Sequence, residues 1–210
     1  MGTVFASHTV SLDGFIANAE GKVGHLFDWY DSGDVEVPLA GYGLTFHMSQ
    51  ASADYWHQND TEGAFIAGRG IFDDAQGWGG RPPGNSPTIV VTHRPPPEGW
   101  PPVPDAPITF VDNLEEALRL AREIAGDGDI NVAAADIIRQ CLDLGVLEEI
   151  RIDLVPVLLH DGIRYLDGIK RRGIELTQLQ VVEGAGVTHI RYGVTYPQPV
   201  QDLTGGHSHD

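Results

Sequence analysis

Residues 130–159 read INVAAADIIRQCLDLGVLEEIRIDLVPVLL, and the way this stretch divides decides the fold. Ile130 to Ala133 is a short strand-like run. Apolar residues then recur at helical spacing from Asp136 to Leu144, and Gly145 stands where a helix closes. EIRIDLVPVLL, residues 149–159, alternates and then turns apolar, which predicts a long central strand. The turn between the first strand and the helix holds Ala133, Ala134 and Ala135, where a phosphate-binding turn usually carries glycine. Backbone N–H groups at a helix start attract phosphate by their direction, not by their side chains. Glycine is needed there only for a positive φ or a very close approach. The alanine turn therefore reads as a phosphate cradle that works without glycine, as a damaged phosphate site, or as an ordinary strand-to-helix turn. Asp136 opposes a close anion, and it is also a good N-cap.

Working outward, FASHTV predicts a short buried strand, SLDG a turn and FIA a brief extended return. Residues 18–43 read as a long loop of Gly, Asp and aromatic residues, of a length that often serves as a functional lid. MSQASADYWHQ (48–58) has helical spacing, AFIAG is a compact strand that breaks at Gly68, and RGIFDDA can start a helix. PTIVVT and ITFV are strands, separated by the exposed Pro-rich connector HRPPPEGWPPVPDAP. Asn113 caps an amphipathic helix, LEEALRLAREIA, which GDGD ends. LTQLQVVEG and VTHIRYGVTY predict a closing antiparallel pair joined through Gly184 to Gly186. The pattern implies an α/β fold over residues 1–197: a mixed, mainly parallel sheet flanked by helices. Residues 198–210 form a polar tail ending in GGHSHD, and its histidines read as part of a frayed terminus rather than a metal site.

Composition narrows the function classes. The chain has 210 residues, 41% of them hydrophobic, which suits one domain with a real core. Its net charge is −17 with 13 Lys and Arg, a poor balance for binding nucleic acid or an anionic membrane. One cysteine, Cys141, excludes an intramolecular disulfide and reads as a buried structural thiol, consistent with a cytoplasmic location. The N-terminus has no basic start followed by an apolar run, and no stretch approaches the length of a membrane span. The nine histidines include no helical i, i+4 pair with a Glu partner, so a metal hydrolase is disfavoured.

Open α/β sheets bind ligands beyond the carboxyl ends of their strands. Three such ends carry suitable residues. Gly68-Arg69-Gly70 offers close backbone approach at a helix start, or is a simple turn. Thr92 and Arg94 offer a hydroxyl and a guanidinium suited to phosphate, or are surface residues before a proline run. The third is the alanine turn.

The order of these segments is more specific than any one of them. SLDGFIA, AFIAGRGIFDDAQGWGG, PTIVVTHRPPP and then INVAAADIIRQCLDLGVLEEIRIDLVPVLLHDGIRYLD resemble the dihydrofolate-reductase-like family. Within it the likeness is to the reductase domain at the C-terminus of the riboflavin-biosynthesis deaminase–reductase, over residues 2 to 195. The resemblance implies NADPH. Backbone at Thr9 and Ile16 would hold the nicotinamide carboxamide, and Gly68 and Arg69 would lie against the phosphates. Thr92 and Arg94 would meet the adenosine 2′-phosphate, and Ala133, Ala134, Ala135, Asp136 and Ile137 would wrap the pyrophosphate. It also implies a homodimer. Two departures stand out: Ala134-Ala135 replaces a Gly-Gly pair, and His160-Asp161-Gly162 replaces Gly-x-Gly.

Hydride transfer needs a positioned cofactor and a proton source. Asp13, in the SLDG turn, is either at the active-site mouth or a turn-forming residue with local hydrogen bonds. Relatives that reduce dihydrofolate keep a carboxylate on the helix before the GR strand. Here Asp54 is nearest, against the plainer reading of a solvated helix-face residue. Few cations are available for a phosphorylated substrate; Lys22, Arg81 and Arg164 are the loose ones. Phe27, Trp29 and Tyr30 offer a stacking surface for a neutral, pteridine- or pyrimidine-like substrate, or else pack the loop down. The expected activity is NADPH-dependent reduction of a small heterocycle. The alternative is a non-catalytic relative that keeps the fold, binds a ligand or itself, and has lost the cofactor.

Overall fold

The computed structural model describes residues 2–39 and 43–197, so the polar tail at 198–210 lies outside the described residues. The chain opens with β1 (Val4–Ser11) and the short β2 (Phe15–Ala17). A 3₁₀ helix over Gly24–Tyr30 and a hairpin of β3 (Val35–Leu39) and β4 (Leu44–Met48) follow. Then come α1 (Gln50–Trp56), β5 (Glu62–Gly68), α2 (Arg69–Asp74), β6 (Thr88–Val91) and β7 (Ile108–Val111). The second half runs α3 (Leu114–Ala125), β8 (Asp129–Ala133), α4 (Ala135–Leu144), β9 (Glu149–Val155) and a short β10 (Ile163–Arg164). It ends with β11 (Glu175–Gly184) and β12 (Val187–Thr195).

Eight strands form one sheet in the order β11-β12-β9-β1-β8-β5-β6-β7. From β9 to β7 every pairing is parallel, while β12 is antiparallel to both β9 and β11. The expected α/β architecture, with its closing antiparallel pair, is the one observed.

Local chemistry explains the elements. Asn113 Oδ1 accepts from Glu116 N at 2.8 Å and caps α3, whose buried stripe is Leu114, Ala117, Leu118 and Ala121. Helix α4 buries Ile137, Ile138, Cys141 and Leu142, and Gly145, at φ +78, closes it by donating to the Cys141 and Leu142 carbonyls. These stripes pack on Ala6, Ile66, Ile89, Ile130 and Val132 to form the main core. On the opposite face Leu26, Trp29, Val37, Met48, Ala53, Val155 and Val187 form a second core.

Two expectations are corrected here. Residues 18–43 are not one loop, because Leu26 and Trp29 are buried three apart on the 3₁₀ helix and Val35–Leu39 pairs with Leu44–Met48. The strand at 149–159 stops at Val155, because Pro156 has no N–H for the ladder and Val157 N turns back onto the Val155 carbonyl.

Candidate functional site

Strand β1 is bonded to β9 from Phe5 through Ser11, but to β8 only from Val4 through Ala6. Beyond Ala6, β8 follows β5 instead, as far as Ala67 and Ala133. The sheet therefore opens between β1 and β8 at their carboxyl ends. Thr9 lies on one side of the opening and Ala133 to Ile137 on the other. Ile16 and Ile137 belong to the same buried cluster, which ties the two sides together.

Ala134 is the N-cap of α4, and among the described residues no side chain caps this helix. The Ala133–Ala134 peptide is cis. Asp136 turns away from the helix start: its carboxylate accepts from Arg139 and, at 2.7 Å, from Gln140. The N–H groups of the first turn are left facing outward, which is what an anion requires. Gly68 has its own steric reason, since a Cβ there would meet Ile137 Cγ1 at 3.3 Å.

One strand further along, the cationic residues meet. Arg69 Nε donates to Asp73 Oδ1 at 2.7 Å, and Arg94 donates to Asp73 Oδ2 at 2.8 Å. Arg69 also reaches the Pro95 carbonyl, and Thr92 Oγ1 accepts from Arg94 N at 3.0 Å. Desolvation pushes the Asp73 carboxyl upward, but Arg69 and Arg94 outweigh it and hold it below its usual range. Gly68, Arg69, Thr92 and Arg94 are thus brought together at adjacent strand ends.

The two candidate acids separate. Asp13 accepts from Ser11 Oγ at 2.6 Å and from the backbone of Leu159 and His160 at 3.2 and 2.8 Å. The Ser11 hydroxyl, with those backbone donors, brings its carboxyl down to about 2 against an opposing desolvation effect. Asp13 pins the segment after β9 and is ill suited to give up a proton near neutral pH. Asp54 points to solvent and accepts from Gln50 at 2.7 Å, so the solvated reading describes it. Ser52 and Tyr55 occupy the inward face of α1 instead.

The aromatic segment is mostly packed down. Trp29 is buried and donates through Nε1 to Thr9 Oγ1 at 3.3 Å, and Tyr30 stacks on Phe27 and Phe46. Phe27 remains partly exposed. Trp29 still forms a wall of an open cavity of about 310 Å³, together with His25, Ser32, Val155, Val157 and Ala185.

Beneath this wall lies a constellation the sequence pattern did not announce. Thr9, Asp153 and His189 stand in register across β1, β9 and β12. His189 Nδ1 lies 2.7 Å from Asp153 Oδ1, and Nε2 lies 2.9 Å from Ser52 Oγ. Glu149 and Arg151 share the inward face of β9 with Asp153, and Glu149 also binds Arg191. Three ionisable residues at period two on an interior strand were the available signal. It was masked by the alternating Ile150, Ile152 and Leu154, which read as the one buried face.

No family model matches this sequence, and no match is found among curated proteins. Solved structures do match. A protein assigned to riboflavin biosynthesis from Shewanella sp. PV-4 gives a TM-score of 0.69 at 16% identity, over 93% of this chain and 99% of that one. RibD of Acinetobacter baumannii gives 0.63 at 14% identity, over 93% of this chain and 58% of that one. A dihydrofolate reductase from Enterococcus faecalis, complexed with NADP(H), gives 0.53 at 17%, over 92% and 95%. The fold is therefore the dihydrofolate-reductase-like fold, in the form seen in riboflavin-biosynthesis reductases.

Proposed function

We propose that this chain is an NADPH-dependent reductase of a small pteridine- or pyrimidine-like heterocycle. The observation that carries the reading is the opening between β1 and β8, flanked by an α4 start that no described side chain caps. The residues present fit the cofactor. In this reading backbone at Thr9 and Ile16 holds the carboxamide, and Ala133 to Ile137 donate to the pyrophosphate. Gly68 and Arg69 lie against the cofactor phosphates, while Thr92 and Arg94 meet the 2′-phosphate. NADPH, when bound, supplies the hydride. The protein supplies orientation, exclusion of water behind Trp29, and a proton.

Phe27 and the edge of Trp29 line the way to the substrate. The cavity beside Trp29 carries no Lys or Arg in its wall, which favours a neutral heterocycle over a phosphorylated one. A second copy of the chain belongs to this proposal, as does a reducing cytosol, which suits the buried free thiol Cys141. Burial pushes that thiol up to about 12.

Titration with NADPH and NADH, followed by protein fluorescence, tests the reading. Micromolar binding of NADPH and much weaker binding of NADH is expected. No binding of either at millimolar concentration would leave the alternative, a relative that keeps the fold without the cofactor.

A further inference from the structure

Asp54 and Asp13 leave the proposed reduction without an acid, and the buried Asp153–His189–Ser52 constellation has no part in the reading so far. Its geometry is tightly specified. Ser52 and His189 are both 0% exposed. Tyr55 stacks on the His189 ring at 4.3 Å, and Trp29 meets it edge-on at 5.1 Å. A Cβ on Gly184 would come within 2.3 Å of Ser52 Oγ, so glycine is what lets the β11–β12 turn close over the group. Ser49 Oγ in turn donates to Ser52 Oγ at 3.1 Å.

The hydrogen bonds have one consistent direction. With Asp153 Oδ1 as the acceptor, His189 donates from Nδ1 and keeps Nε2 bare, and Oδ2 is the oxygen that can carry a proton. Ser52 then donates to Nε2 and accepts from Ser49. The same three residue types serve acyl transfer elsewhere, but there the serine must reach its substrate. Here Ser52 is sealed under Gly184, and the Asp153 side chain, 10% exposed against 0% for His189, is the end of the group that reaches the surface.

Two groups at that end are unmet. Asp153 uses Oδ1 for His189, and Oδ2 accepts from no described residue. The Tyr55 hydroxyl is buried without a hydrogen-bond partner. Burial, then the charge of Asp153, keeps the Tyr55 hydroxyl protonated, and the Tyr55 ring stacks on the His189 that Asp153 holds. Asp153 also sits beside Thr9, on the strand that borders the sheet opening. Val155, two residues on along the same face, lines the cavity.

We propose that Asp153 is the residue that protonates the substrate, with His189 and Ser52 as positioning residues that hold its carboxyl in place. This rests on the reductase reading. Reduction of a C=N bond adds a hydride to carbon, taken from the reduced nicotinamide, and a proton to nitrogen. The O–H bond of the Asp153 carboxyl breaks as the N–H bond forms. The remaining carboxylate is held by His189 Nδ1–H and regains its proton from solvent. The groups facing the pair are Tyr55 and Ser52 from α1, Trp29 and Tyr30 from the 3₁₀ helix, Thr9 from β1, Glu149 and Arg151 from β9, and Arg191 from β12.

The test needs no substrate. The Asp153 carboxyl ¹³C and the His189 ring ¹⁵N signals are followed from pH 4 to 9 in the full chain, and NADPH binding is measured on the same samples. A general acid must carry its proton near working pH. The proposal expects NADPH to bind with the proton of the pair on the Asp153 carboxyl and His189 Nε2 bare. Ser52→Ala should change the His189 Nε2 signal, and Asp153→Asn should leave NADPH affinity unchanged. NADPH binding with Asp153 ionised and the proton on the His189 ring overturns the role of Asp153 and leaves the reductase reading standing. A protonated Asp153 without NADPH binding overturns the reductase reading, and the donor role with it.

Discussion

At the scale of single residues, Asp73 is the most informative. It places one carboxylate oxygen against Arg69, proposed to lie against the cofactor phosphates, and the other against Arg94, proposed to meet the 2′-phosphate. A phosphate arriving there meets a cluster already half neutralised, and a negative charge at close range. Asp73→Asn should therefore strengthen NADPH binding by about three- to tenfold relative to NADH, as expected for a partly exposed charge. An unchanged ratio would mean that Arg94 does not touch the 2′-phosphate. His8 makes a different point. The residue is only partly exposed, its Nε2 is buried without a partner, and burial brings its pKa down from 6.5 to about 4. The folded protein accepts the neutral ring, so this contribution is complete above pH 6.5. It is lost as pH falls from 6.5 towards 4, because the unfolded chain takes a proton that the folded chain refuses. The slope is on the order of 1.4 kcal/mol per pH unit across that window. Urea unfolding at pH 7.5, 6 and 5 should show that loss in the wild type and a flatter profile in His8→Gln. Neither residue was legible in the sequence. Asp73 looked like one more acid in an acidic chain, and the burial of His8 depends on Tyr165, far along the sequence, which packs edge-on at 5.3 Å.

At the scale of elements, the second half of the chain was the legible half. Asn113, Gly145 and the apolar stripes of α3 and α4 are local signals, and they set those helices within about a residue of where they lie. Helix α1 was not legible in the same way. Seven residues are too few to show which face is buried, so Asp54 and Ser52 were indistinguishable until α1 lay against β11 and β12. The alanine turn can be probed through the backbone alone. Ala135 is the first residue of α4, a position where proline is favoured because its N–H has no intrahelical partner. Ala134, at φ −104 and ψ −156, is extended, as a residue before proline must be. Ala135→Pro should therefore keep the melting temperature within a few degrees while removing one donor from the cradle. A hydrogen bond to a charged group is worth about 1.5–3 kcal/mol, so NADPH and NADH should both weaken by about tenfold or more. Intact stability with unchanged affinity would move the pyrophosphate away from this turn.

At the scale of the whole molecule, one wing of the sheet carries α1 on one face and no described helix on the other, the face that α4 covers at the centre. Helix α4 covers the centre, and β12 and β11 extend past it. A bulge between Gln178 and Gln180 resets the alternation, with Leu176 opposite Val194 and Val181 opposite Ile190. The reset leaves Leu176 and Val181 on one face, 45% and 50% exposed, next to the half-buried Ile190. A monomer seldom keeps such a surface, and the outer edge of β11 pairs with no described strand. A second copy of the chain would cover both. Charge opposes that pairing, since each chain carries −17 and two would carry −34. Burial of apolar surface does not weaken with salt, whereas repulsion between distant carboxylates is screened within about 10 Å at 0.1 M. The expected outcome is a homodimer that strengthens as salt rises from 20 to 300 mM, followed by light scattering after size exclusion. Val181→Glu should return it to a monomer of 22.7 kDa with an unchanged circular dichroism spectrum. A wild-type chain that stays monomeric at 300 mM salt would mean that the wing tolerates water, and that the proposed site is complete within one chain.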